Sequence, residues 1–106
     1  MEKVINIGGK DVALKTTGAT PLRYRSVFGK DFFAEIIKLE KMGKKGGLES
    51  FDSELIYNLT WLMAKTHDNS IPPVMEWLDS FDEFPVMEVM PEVIDMVAGC
   101  IATKKK

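Results

Sequence analysis

The chain has 106 residues, 45% hydrophobic and 28% charged, a composition that suits one soluble globular domain over residues 1–106. Its single cysteine, Cys100, excludes a disulfide scaffold, and no run reaches the roughly 20 apolar residues that a membrane-spanning helix needs. The net charge of -2 conceals a split: residues 1–45 carry ten Lys or Arg against five acids, and residues 46–103 carry one Lys against eleven acids. Lys104, Lys105 and Lys106 form a basic tail over 104–106. Such an asymmetry bears on partners.

In chain order, Val4-Ile5-Asn6-Ile7 is a β-prone run, Gly8-Gly9 is a turn pair, and Asp11 to Thr16 is a second β-prone run. This predicts a β-hairpin over 3–16. A lone hairpin is marginal in water, so it should pack on helices or extend another sheet. The rest reads as helical. Thr20-Pro21 places an N-cap residue before a first-turn proline and opens a short helix that Gly29 can end. Asp31 caps a second helix, in which Phe32, Phe33, Ile36, Ile37 and Leu39 form a broad apolar face. That helix runs out at Lys44-Lys45-Gly46-Gly47.

Asp52 or Ser53 caps a third helix, whose Leu55, Ile56, Leu59, Leu62 and Met63 are spaced for a well-buried element. Asp68-Asn69-Ser70 and Pro72-Pro73 break it. Val74, Trp77, Leu78 and Phe81 then share one face of a fourth helix. Proline inside a helix costs about 3 kcal/mol, so Pro91 predicts a short turn near 86–89 and a last helix starting at Pro91. The stripe of that helix is Val93, Ile94, Val97 and Ile101, with Ala98 and Cys100 beside it. The expected fold class is α+β: an N-terminal hairpin followed by a mostly α-helical bundle of about five segments over 20–103.

Little of this pattern points to catalysis. His67-Asp68 is the one pair that hints at a dyad, but adjacent residues rarely point together, and no Ser or Cys has a nucleophile's setting. Cys100 reads as a small buried hydrophobe, and one Cys with one His cannot complete a zinc site. Asp79, Asp82 and Glu83 lack the spacing of a calcium loop, and Gly8-Gly9-Lys10 is a turn and not a phosphate loop. No catalytic, cofactor-binding or metal-binding residue is expected. The segment from Arg23 to Leu39 can be drawn as a loose helix-turn-helix. However, Asp31, Glu35 and Glu40 would repel phosphates, and the pI of about 5.4 disfavours nucleic acid. Arg23, Arg25 and Lys30 could instead pair with the acidic half of the same fold. Tyr24, Phe28, Phe32 and Phe33 form one aromatic group and Trp77, Phe81 and Phe84 another. Together with seven Met they exceed what so small a core can hide, which favours an exposed, adaptable surface that binds protein.

Several stretches, in this order, resemble the small tail assembly chaperones of long-tailed (siphovirus-type) phages and prophages of Gram-positive bacteria. They are Leu14-Lys15-Thr16, the block from Arg23 to Asp31, Leu62-Met63-Ala64-Lys65, the block from Trp77 to Phe84, and Met90-Pro91-Glu92-Val93-Ile94. The resemblance implies a non-enzymatic protein without cofactors. Such a protein binds the tape-measure protein, keeps it soluble and helps recruit major tail (tube) protein subunits. It acts in the cytoplasm of the bacterial host and is absent from the mature virion. Family members are often made in a second, longer form by frameshifting, so that form and a homo-oligomer join the candidate partners, while no membrane is expected. Arg23, Tyr24, Arg25, Phe28, Lys30, Trp77 and Phe81 are the candidates to build or border the partner-binding surface, though the spacing of Phe28, Trp77 and Phe81 also suits a core. The alternative from a different class is a small phage or prophage DNA-binding or transcriptional regulator.

Overall fold

The computed structural model describes residues 1–45 and 53–101. Strands β1 (Glu2–Ile7) and β2 (Lys10–Lys15) pair antiparallel, with Ile7 opposite Lys10 and Glu2 opposite Lys15. Met1 and Thr16 lengthen the ladder by exchanging two backbone hydrogen bonds, of 2.8 and 3.0 Å. Successive side chains of a strand point to opposite faces. Ile5, Ile7, Val12 and Leu14 therefore enter the core, while Val4 and Asn6 stay in solvent. Gly8 and Gly9 hold φ at +59° and +90°, the left-handed pair that a two-residue hairpin turn requires. Asn6 Oδ1 accepts the Gly9 N–H at 3.0 Å, and Asn6 Nδ2 donates to the Asp11 carboxylate at 3.1 Å.

Five helices follow: α1 (Thr20–Phe28), α2 (Phe32–Lys45), α3 (Ser53–His67), α4 (Val74–Asp79) and α5 (Val86–Ile101). The architecture is α+β, a two-stranded hairpin followed by five helices, as the sequence pattern predicts. The hairpin covers α3, and α3 also packs against α1, α4 and α5, while α2 packs against α1 and α5. From Asn58 to Ala64 every residue of α3 is buried, so the helix is enclosed on all sides. The one hydroxyl in this run, on Thr60, donates to the Ile56 carbonyl at 2.7 Å, which keeps the surrounding core apolar.

Several boundaries follow their sequence signals. Gly29, at φ 72°, ends α1 and returns its N–H to the Arg25 carbonyl at 2.8 Å. Asp31 Oδ2 accepts the Ala34 N–H at 3.0 Å and caps α2. The Asp52 cap, the Gly46-Gly47 segment and the Lys104-Lys105-Lys106 tail lie outside the described residues, as do the side chains of Leu39 and Ile101.

Other expectations are corrected. Thr20 is the first residue of α1 and not its cap, because its hydroxyl is turned back to accept the Thr17 N–H at 2.8 Å. The apolar face of α2 is narrower than its sequence: Phe32 and Ile36 are buried, but Phe33 and Ile37 are about half exposed, at 48% and 54%. Phe81 lies beyond the end of α4, where the Ser80 hydroxyl donates to the Trp77 carbonyl at 2.6 Å. The largest correction concerns Pro91, which sits inside one continuous helix, α5. There is no turn at 86–89; instead the Pro85 carbonyl accepts the N–H groups of Glu88 and Val89, both at 3.0 Å, and starts the helix. The core stripe of α5 is Val89, Val93, Met96 and Val97, while Ile94 is only half-buried. Residues on both sides of Pro91 are thus anchored in the core. Burying each such side chain contributes roughly 1.5–3 kcal/mol, so together they exceed the proline penalty.

The hairpin turn also touches the far end of the fold. A Cβ on Gly8 would overlap the Glu83 carbonyl, whereas one on Gly9 would meet open space. Gly9→Ala should therefore cost only the left-handed backbone strain, about 1–2 kcal/mol. Gly8→Ala adds a clash with backbone and should cost more than about 3 kcal/mol. Urea unfolding of the two variants measures the difference, and equal losses would mean that the turn does not press on Glu83.

Candidate functional site

Two aromatic clusters meet at α3, and each takes one ring from it. In the first, Trp61 stands edge-on to Phe28 at 5.9 Å, and Tyr24 stacks against Phe28 at 4.9 Å and Phe32 at 5.9 Å. In the second, Tyr57 lies 5.1 Å from Phe84, which joins Trp77 and Phe81 at 6.3 and 5.6 Å. No ring contact connects the two clusters among the described residues.

The seven candidate residues therefore divide into two groups. Tyr24 and Trp77 are core residues, and Phe28 and Phe81 are half-buried and shape the surface from beneath. The Tyr24 hydroxyl donates to the buried Glu35 carboxylate at 3.2 Å, and the other oxygen of that carboxylate meets Lys38 Nζ at 3.3 Å. Phe81 carries the Lys10 ammonium 4.6 Å above its ring, and Lys10 Nζ also reaches Ser80 Oγ at 3.4 Å. Arg23, Arg25 and Lys30 are exposed. The alternative role of these three, pairing with the acidic half, is not seen: no ion pair involves them among the described residues. Lys3 makes the crossing between the halves. It bridges Glu92 and Asp95 on α5, and its hydrogen bond to Glu92 raises its pKa above the ordinary lysine value.

Between α1 and α3 lies an open groove of about 570 Å³. Val27 is its exposed apolar wall, the buried Trp61 and Leu62 lie at its floor, Ser26, Thr66 and Asn69 add polar lining, and Arg23 and Lys65 stand at its rim. Lys65 is held in place there, since its ammonium donates to the carbonyls of Asn69 at 2.9 Å and Ile71 at 2.6 Å. Trp61 is fixed by its indole N–H, which donates to the Pro72 carbonyl at 2.8 Å. Of the groove residues Arg23 and Lys65 stand out in the sequence pattern, Lys65 as the one cation between residues 46 and 103. Val27 lies one residue outside the Tyr24–Phe28 stripe, and Trp61 is hidden in a helix that is apolar on every side. Val27 is 52% exposed and Leu22 74%; two large hydrophobes off the buried stripe of a nine-residue helix are the signal that could have marked this surface.

The remaining candidates show no catalytic geometry. His67 is exposed, and the Asp68 carboxylate accepts the N–H and hydroxyl of Ser70, at 3.0 and 2.7 Å. These two bonds lower the Asp68 pKa. No group of three or more His, Cys, Asp or Glu is placed to hold a metal among the described residues. None of the helices, as far as they are described, is long and apolar enough to cross a membrane. Cys100 is half-buried beside Thr16, and burial pushes its thiol pKa up against a smaller opposing hydrogen bond from Thr16.

Two tests follow from this chemistry. Tyr24→Phe leaves the ring in place but removes a buried hydrogen bond to Glu35, so thermal or urea unfolding should show a loss of about 1–3 kcal/mol; an unchanged midpoint would mean the bond is idle. Cys100 should react with iodoacetamide at pH 8 more slowly than free cysteine, and at the free rate once unfolded in urea. By the same linkage its contribution to stability is intact below the ordinary thiol pKa of about 8.5, and fades as pH rises through the higher folded value. Comparison of the chain with models of protein families, with curated proteins and with solved structures finds no match.

Proposed function

We propose that the protein is a non-enzymatic phage tail assembly chaperone. It binds the tape-measure protein in the cytoplasm of the bacterial host, keeps it soluble, helps recruit tail-tube subunits, and leaves before the virion is complete. The resemblance of the ordered sequence blocks suggests the class. The observation that carries the reading is the α1–α3 groove, with the exposed Val27 above a floor of Trp61 and Leu62, between the cations Arg23 and Lys65. An amphipathic helix lays its apolar face into such a groove, and cations at the rim select helices flanked by acids. Phe33 and Ile37 on α2 and Met87 on α5 leave further apolar surface exposed, which suits a partner offering many hydrophobic stretches. Nothing in this reading needs a nucleotide; binding exposed hydrophobic segments shifts their solubility by mass action.

The test is co-expression with helical fragments of the tape-measure protein encoded in the same genome. Soluble fragment should rise with the chaperone present and co-purify with it. Val27→Glu puts a charge on the groove wall at a half-exposed site, so it should leave the fold intact by circular dichroism while capture falls about tenfold. An unchanged soluble yield overturns the reading. The unpaired cations of α1 favour a DNA-binding regulator as the second reading, and steeply salt-dependent retention of duplex DNA in a gel shift would support that instead.

A further inference from the structure

We propose that the free edge of β2 is a docking site for an extended segment of a partner protein, which adds to the hairpin as a third strand. The site lies apart from the α1–α3 groove, and the inference does not rest on what that groove binds. The pairing register identifies the free backbone groups. Met1 and Thr16 exchange two hydrogen bonds, and in an antiparallel pair such exchanges recur at every second residue. Lys3 with Leu14, Ile5 with Val12 and Ile7 with Lys10 therefore hold the ladder. The residues between them turn their backbone N–H and C=O groups outward. On β2 these are Asp11, Ala13 and Lys15, and nothing takes their backbone groups among the described residues. The row repeats about every 6.8 Å, two residues of a strand. A helix keeps its backbone bonded to itself, so only another extended chain matches this row.

Beside this edge runs a groove of about 300 Å³, between β2 and the segment that leads from the end of α3 into α4. Its apolar lining includes Ile71, Trp77 and Phe81, of which Trp77 is buried and the other two are half-buried. A strand laid about 4.8 Å from β2 sends alternate side chains toward this groove and the others to the solvent face beside Ala13. Backbone bonds then supply affinity and the groove supplies selection. Asp11 and Asp68 line the same groove. Their carboxylates accept hydrogen bonds from the neutral Asn6 and Ser70, and make no ion pair among the described residues. Lys10, the lysine of the groove, has its ammonium over the Phe81 ring and near Ser80. The segment that fits is therefore apolar at alternate positions and carries Lys or Arg at its ends. A second copy of the chain does not fit. The inward apolar side chains of its hairpin, Ile5, Ile7, Val12 and Leu14, are buried in its own core and cannot enter the groove.

Amide hydrogen exchange, followed by nuclear magnetic resonance on the full chain, tests this with a synthetic peptide. The probe is a short peptide of alternating valine and threonine with a lysine at each end. At saturating peptide, exchange at the amides of Asp11, Ala13 and Lys15 should slow about tenfold or more. Protection at Glu2, Val4 and Asn6 in place of these, or no protection, would overturn the proposal. Two N-methylated peptides fix the mode of binding. Methylating the valine amides removes one alternate row of donors, methylating the threonine amides removes the other, and only one row faces β2 in an added strand. One version should lose about tenfold or more in affinity, and the other should bind nearly as the parent does. Equal loss or equal retention would overturn the proposal. Ala13→Pro deletes an outward N–H that the fold does not use, at an edge where proline is tolerated. It should weaken peptide binding by a similar factor, with the melting temperature nearly unchanged and tape-measure capture retained. A stable Ala13→Pro chain that binds the peptide as the wild type does would overturn the proposal. So would chains that pair with each other through this edge in place of taking the peptide.

Discussion

Enclosing α3 is the requirement that the rest of the fold serves. A helix buried from Asn58 to Ala64 without a break cannot be covered by one neighbour. It needs apolar surface from every direction, and the chain supplies it in sequence order: the hairpin, then α1, then α4 and α5. The inner face of the hairpin would be marginally stable alone and gains its partner in α3, whose own apolar circumference would aggregate if left open. The two elements therefore stabilise each other. This reciprocity explains why the few polar groups within the packing are tied locally, as Thr60 is to Ile56 and Trp61 to Pro72. A polar group in the middle of such an element finds little water, and each one left unpaired would cost about 1–3 kcal/mol.

The same enclosure decides where function can sit. With α3 covered, only the outer faces of the covering helices and the seams between them remain. The α1–α3 groove is such a seam, where Val27 and Arg23 stand away from the Tyr24–Phe28 stripe above the buried Trp61 and Leu62. Aromatic rings brace it from below: Phe28 rests on Trp61 and Tyr24 on Phe32. Tyr24 and Phe28 thus act on the surface by holding α1 at a set distance from α3, while Arg23, Arg25 and Lys30 present the charge.

What the sequence made legible is local. Alternation in the two strands, the glycine pair between them, Gly29 and Asp31 each carry a backbone requirement that few other residues meet, and the structure uses them as the pattern predicts. Where the pattern misleads, long-range packing outweighs a local preference. Pro91 is unfavourable within a helix considered alone, yet Val89 and Val93 on its two sides are pinned in the core. Phe33 and Ile37 have the spacing of core residues, but α1 and α5 cover only the Phe32–Ile36 side of α2. The site was legible in part for the same reason. Its cations are plain in the sequence, whereas Trp61 and Val27 become groove residues only once α1 is laid beside α3.

The charges on α1 and α4 that make no ion pair among the described residues make sense in energetic terms. Surface ion pairs contribute about 0–1 kcal/mol, so the fold would gain little by pairing Arg23 or Arg25 with an acid of its own, and loses little by leaving them free. Lys3 shows that a crossing between the halves is geometrically available where β1 passes α5. No such crossing involves α1 or α4 among the described residues. A net charge of -2 suggests weak electrostatics only if the charges are mixed. Here they are sorted along the chain, and a molecule of small net charge whose charges are sorted still carries strong local fields at its surface.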